Sequence, residues 1–356
     1  MLDGAKSNQK STKKYKIMNE AKFTNLNEFK EILLSQPIAN SNLKDRAVER
    51  NNQLTKPPGA LGRLEELSVW FASWNGNEAP IISSPQVVVF AGNHGVTSQG
   101  VSAFPQEVTA QMVLNFEHGG AAINQMCKTF GAKLDVVALD LDNPTNDFTR
   151  EPAMSETDCI DALRRGWNAV DENSDLFVAG EMGIGNTTSA AAIANALYGG
   201  TASDWVGRGT GVDNQGLKNK SLVVAAGLEK NPSAIGDGLE ALRCLGGREL
   251  AAIVGSIASA RSKSIPVILD GFICTAAAAC LEASVSGSLE HCVAGHESNE
   301  QAHKELLKRL DKKPLLSLGM RLGEGSGAAL AIGVLKAAIA CHSGMATFAQ
   351  AGVSED

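Results

Sequence analysis

Aromatic side chains are scarce in this 356-residue chain: 5% of the residues, two of them tyrosine. A core with few large rings must be filled by small aliphatic groups. The 36 glycines then let helices lie close on a sheet, joined by many tight loops. Cysteines number seven, and no two stand as C-x-x-C. That excludes the common zinc and redox spacings, and an odd number fits a reduced, cytoplasmic setting better than a disulfide framework. The cysteines are read as small buried residues. No uninterrupted apolar run reaches transmembrane length, so no membrane partner is expected. The N-terminal "MLDGAKSNQKSTKKYK" has no apolar stretch of the secretory kind, and residues 1–20 are read as a disordered tail whose lysines are solvated. The net charge of −7 argues against a general nucleic-acid binder.

Several catalytic signatures are also missing. "GNHGV" carries His94 alone, and "GHESNEQAH" holds His296, Glu297 and His303 without the H-E-x-x-H spacing, so no metal site is expected. No strand leads into G-x-S-x-G, and there is no Walker A loop. G-x-G fragments occur at 183–185, 209–211 and 323–327, but none completes G-x-G-x-x-G. They keep one alternative open, an NAD(P)-dependent oxidoreductase with Asp204 as the ribose-binding acid. A second alternative is a non-catalytic nucleotide or azole sensor. What remains for chemistry is carboxylates and a phosphate-bearing ligand.

The pattern along the chain is α/β. Apolar residues at helical spacing mark "NLNEFKEILLSQPI" and, after a Pro-Pro-Gly break, "GRLEELSVWFASW". Short β-branched runs then end in glycine-rich turns that lead into small-residue helices. Strands are expected in "QVVVFAG", "AKLDVVALD", "SDLFVAG", "DWVG" and "SIPVILD". Continuous apolar strands alternating with helices predict a Rossmann-like parallel sheet buried on both faces. The expected division is a large α/β domain over 79–304 and a small helical domain built from both ends, 21–78 and 305–356. Ligands of such sheets bind at the carboxyl ends of strands.

The loops expected there carry the candidate residues. In "GEMGIGNTTSAAA", Gly183 lets the backbone approach a ligand. Asn186, Thr187 or Thr188 can cap the following helix, whose positive end favours phosphate. Glu181 closes the preceding strand. "GRGTGVDNQGLKNKS" offers the cations Arg208, Lys218 and Lys220, any of which could neutralise a phosphate or simply be solvated. Asp270 ends "PVILD", either as a ligand-binding carboxylate or as a helix cap. "RLGEGSG" sets Glu324 between Gly323 and Gly325, an odd place for a carboxylate if the turn were a phosphate seat. This loop is expected to lie between helices and to reach over the sheet edge.

"KPPGALGRLEELS", "NHGV" with "GVSAFPQEVTAQM", "GEMGIGNTTSAAA", "DGFICTAAA" and "MRLGEGSGAALA" occur in this order from about Leu43 to the C-terminus. Together they resemble the nicotinate-nucleotide–dimethylbenzimidazole phosphoribosyltransferase family. The resemblance implies transfer of phosphoribose from nicotinate mononucleotide to 5,6-dimethylbenzimidazole, for the lower ligand of cobalamin. It also implies a homodimer that needs neither metal nor organic cofactor. It makes Glu324 the general base; Glu181, on the family's phosphate and ribose loop, is read as a second catalytic carboxylate that supports developing oxocarbenium charge or orders the acceptor. Gly183, Asn186, Thr187 and Lys220 become nucleotide contacts, and Asp270 is kept as a substrate-binding carboxylate. Phe104, Gln111, Met112, Leu322, Gly323 and Gly325 are placed around the base. Phe104 stands where some members have a serine, which implies a more apolar base pocket and leaves the preferred azole or phenol open.

Overall fold

The computed structural model describes residues 21–354; the expected N-terminal tail lies outside them. The helices are α1 (Leu26–Leu34), α2 (Ser41–Gln53), α3 (Arg63–Asn75), α4 (Glu107–Glu117), α5 (Ala122–Phe130), α6 (Glu156–Ala169), α7 (Asn186–Tyr198), α8 (Ala202–Trp205), α9 (Asn214–Lys230), α10 (Gly238–Leu245), α11 (Arg248–Ser262), α12 (Phe272–Ser284), α13 (His303–Arg309), α14 (Ser326–Gly344) and α15 (Phe348–Ala351). The strands are β1 (Pro85–Ala91), β2 (Lys133–Ala138), β3 (Leu176–Met182), β4 (Val267–Leu269), β5 (Cys292–His296) and β6 (Pro314–Leu316).

All six strands form one parallel sheet in the order β2-β1-β3-β4-β5-β6. The order reverses between β1 and β3, which makes the loops at their carboxyl ends the switch point where such sheets bind ligands. Alternation along the central strands feeds two cores. Val88, Phe90, Phe177 and Ala179 point into one, with Phe29, Trp167, Ala191, Ile253 and Ala277. Val87, Val89, Leu176 and Val178 point into the other, with Phe71, Ile123, Ala328, Ile332 and Leu335. Helices thus cover both faces, as the buried strands predicted.

Several details differ from the sequence reading. "DWVG" is not a strand: α8 turns there, because the Thr201 amide and hydroxyl bind Asp204 at 2.7 and 2.8 Å and Trp205 packs beside Tyr198. The strands β5 and β6 were not foreseen, being short stretches inside "HCVAGH" and "KKPLLS". A boundary at 305 consequently cuts the sheet, since β6 is its edge strand and α14 packs beneath β3, β4 and β5. Of the two chain ends, α2 and α3 do pack with α14, with Arg50 donating to the His342 and Ser343 carbonyls, whereas α1 leaves them for the opposite core, with Phe23 against Trp167. By length and composition α14 is long and apolar enough to cross a membrane, although Lys336 and His342 interrupt its run; its Ala328, Ile332 and Leu335 are core residues.

Candidate functional site

A cavity of about 500 Å³ opens at the carboxyl ends of β3, β4 and β5, beneath the loop from β6 to α14. Its walls bring together Glu181 and Met182 from β3, Asp270 beyond β4, His296 from β5, and Arg321 to Glu324. The "GEGSG" turn therefore follows a strand like the other site loops. It starts at the sheet edge and returns across the strand ends to β3, where Gly180 receives it: a Cβ on Gly180 would lie 2.6 Å from the Glu324 carbonyl oxygen. Only a glycine permits that approach.

Glu324 has φ +64°, between Gly323 at +85° and Gly325 at +80°. A left-handed conformation costs an L-residue roughly 1–2 kcal/mol, and such strain collects at functional sites. The residue is 6% exposed, and its Oε2 has no hydrogen-bond partner among the described residues. Burial, with the nearby Asp270 charge, pushes its pKa up to about 7. Glu181 is equally buried and accepts from the Asn186 side-chain amide. Burial raises its pKa to about 8, helped by the charges of Asp270 and Glu249 and opposed by Asn186. Asp270 behaves oppositely. Burial acts to raise its pKa, but the His296 contact and backbone amides outweigh it and hold the carboxyl below its ordinary value. It accepts from the Gly325 amide at 3.2 Å and the Ala328 amide at 2.9 Å, so it caps α14 and not the α12 helix that follows it. One pocket thus holds a stable anion and two carboxyls that titrate near neutrality, a division that assigns different roles to similar groups.

The start of α7 forms the opposite wall. Gly185 is its N-cap at φ +95°, and no side chain caps the first turn. Asn186 turns to Glu181, and Thr187 accepts from Lys220 Nζ at 2.9 Å. An uncapped helix start with its positive dipole end is a seat for an anion. Lys220, on α9, is fully buried behind this wall and also donates to the Gly207 carbonyl at 3.0 Å; burial lowers its pKa to about 8. Of the other cations weighed, Arg208 turns back onto Val212 and Asn214, and Lys218 stays at the surface. Arg321, which the sequence reading passed over, lines the cavity and donates to the Gly209 carbonyl at 2.9 Å. Its signal was its place inside "MRLGEGSG".

Phe104 and Leu322, 50% and 57% exposed, stand at the cavity rim, with Phe272 and Ile273 further in. Gln111 and Met112 do not line this cavity. α4 turns Thr109, Val113 and Phe116 inward, which leaves Gln111 exposed and packs Met112 against the second core. Thr109 is the α4 residue that reaches the site loops, accepting from the Ile184 amide at 3.3 Å. His94, like Thr109 absent from the expected site, is fully buried, its Nε2 2.5 Å from Glu249 Oε1 and its Nδ1 3.0 Å from the Ser189 hydroxyl.

A phosphoribosyltransferase family model matches residues 37–353. The nicotinate-nucleotide–dimethylbenzimidazole phosphoribosyltransferase of Ruegeria pomeroyi is 64% identical over 332 residues, 93% of this chain and 98% of that protein. The enzyme of the same name from Mesorhizobium japonicum is 53% identical over 94% of this chain and 99% of its own. A crystal structure of the Thermus thermophilus enzyme superposes with a TM-score of 0.83 at 39% identity, covering 89% of this chain and all of that one. The chain belongs to the nicotinate-nucleotide–dimethylbenzimidazole phosphoribosyltransferase family.

Proposed function

We propose that this enzyme moves the 5-phosphoribosyl group of nicotinate mononucleotide onto 5,6-dimethylbenzimidazole or a close relative, with inversion at C1′. The products are nicotinate and α-ribazole 5′-phosphate, the latter for the lower ligand of cobalamin. The observation that carries the reading is Glu324, buried at the cavity with an unpaired carboxylate oxygen and a pKa near neutrality. The donor's ring nitrogen is cationic, so nicotinate leaves with the C1′–N bonding pair and needs no general acid. One azole nitrogen attacks C1′ while the other gives its proton to Glu324. A positioned base is worth about 10²–10⁴-fold. Holding donor and acceptor in line contributes up to about 7–11 kcal/mol.

The nucleotide phosphate is assigned to the α7 start, with Gly183, Asn186 and Thr187 as its wall and Lys220 supplying charge from behind Thr187. Arg321 adds a second cation at the rim. The azole is assigned to the apolar side formed by Phe104, Leu322 and Phe272, with Glu324 at its edge. At pH 7 Glu181 is protonated in the free enzyme, which favours a role in ordering Asn186 and the loop over that of a fixed anion. The fragments that kept an oxidoreductase open have other uses: Asp204 caps α8, and Gly323 and Gly325 flank the base. The reading includes a cytoplasmic homodimer, supported by the exposed apolar side chains Ile38, Ile81 and Leu222. The test is nicotinate release with and without the azole. Glu324→Gln is expected to lose about 10²–10⁴-fold in kcat with KM values little changed. Near-normal kcat in that variant would remove Glu324 from the role.

A further inference from the structure

The base sits in a backbone conformation that its own sequence disfavours, so something must hold it there. The Asp270 side chain is positioned to do so. From the end of β4 it binds the amide of Gly325, directly after Glu324, and that of Ala328 in the first turn of α14. One carboxylate thereby ties the strained turn to the helix. On its other side, His296 Nε2 lies 3.5 Å from Asp270 Oδ1. His296 is 3% exposed, and its ring fills the space a Cβ on Gly327 would need. Asp270 is thus enclosed by β5, α14 and the sheet.

We propose that Asp270 is a positioning residue, clamping the start of α14 so that Glu324 keeps its left-handed conformation and presents its carboxyl to the azole. The clamp rests on the reading of Glu324 as base. Its second effect is electrostatic. The charged and titratable groups that share the cavity with Glu324 are Glu181 from β3, Asp270 just beyond β4, Cys274 on α12, His296 and Glu300 from β5 and the loop beyond it, and Arg321 on its own loop. Among these, the Asp270 charge is the one that disfavours ionisation of Glu324.

The test is steady-state nicotinate release by the full chain, with KM for both substrates and the pH profile of kcat/KM. Asp270→Ala removes both amide contacts and the charge. It is expected to lower kcat by about 10²-fold through misplacement of the base, with both KM values within about threefold of wild type. Asp270→Asn keeps one acceptor oxygen and loses the charge. Its kcat should lie between the two, and the acid limb of its profile should move to lower pH, because the anion that disfavours the ionised base is gone. A rise of about tenfold or more in nucleotide KM with kcat retained would overturn the clamp in favour of direct substrate contact. An unmoved acid limb in Asp270→Asn would overturn the electrostatic part, and this variant stays informative if the alanine variant does not fold. Glu324→Gln run in parallel separates the two ideas: retained turnover there sinks the base itself, whatever the Asp270 variants do.

Discussion

Glu181, Asp270 and Glu324 share one cavity, and their surroundings set their charge states apart. As the proposed base, Glu324 must be ionised to take a proton, and its pKa is about 7. The kcat/KM profile should therefore fall below about pH 7, roughly tenfold per unit, and level off above it. Glu181 gives a stability prediction of defined sign. Its folded-state pKa, about 8, lies above the ordinary 4.5. The stability tied to it is thus fully present below 4.5 and is lost as pH rises through 8. Glu181→Gln removes that dependence while keeping an oxygen for Asn186. Urea denaturation should show the variant gaining on wild type between about pH 5 and about pH 9; a gap that does not change with pH would refute it. Glu181, Asp270 and Glu324 were all visible as candidates in the sequence, because each closes a strand or sits in a glycine turn. What was not visible is which stays charged, since that depends on the Ala328 and Gly325 amides and on His296, contributed by other segments.

The element that organises the site is α14 with the turn before it. Its start is fixed from below by Gly180 and from the side by Asp270. A methyl group at 180 would meet backbone atoms of Glu324 and Gly325 within 2.8 Å, and backbone cannot swing aside as a side chain can. Gly180→Ala is expected to cost about 1–3 kcal/mol in urea denaturation and to lower kcat with it, since the proposed base Glu324 moves with the turn. Unchanged kcat would show that the turn tolerates displacement. The sequence reading identified this turn but not the β6 strand that launches it. Three residues, "PLL", between lysines and a serine carry too little periodicity to be read as a strand. Gln111 and Met112 stay outside the cavity for a related reason. A motif places a helix near a site, while the face it turns inward depends on rotation about its axis, and here α4 points Thr109 inward.

At the scale of the whole molecule, the sheet order puts the switch point between β1 and β3, and the two cores hold helices on either face. The N-terminal α1 belongs to the face away from α3 and α14. Phe29 is fully buried there beside Phe23. Phe29→Ala should cost about 3–5 kcal/mol by urea denaturation while leaving kcat near wild type, because α1 contributes no residue to the cavity. A kcat that fell with stability would mean that α1 supports the site through the sheet. The sequence by itself determined the parallel α/β class and marked the turns at "GIGNTT" and "RLGEGSG" as candidate site loops, because strand apolarity, helix starts and glycine turns are local properties written in consecutive residues. Tertiary structure alone decided that the "RLGEGSG" turn crosses from the sheet edge back to β3, that Asp270 caps a helix distant in sequence, and that α1 lies on the face opposite α3 and α14. These follow from strand order and packing, which join residues far apart in the chain and leave no mark in any one stretch of it.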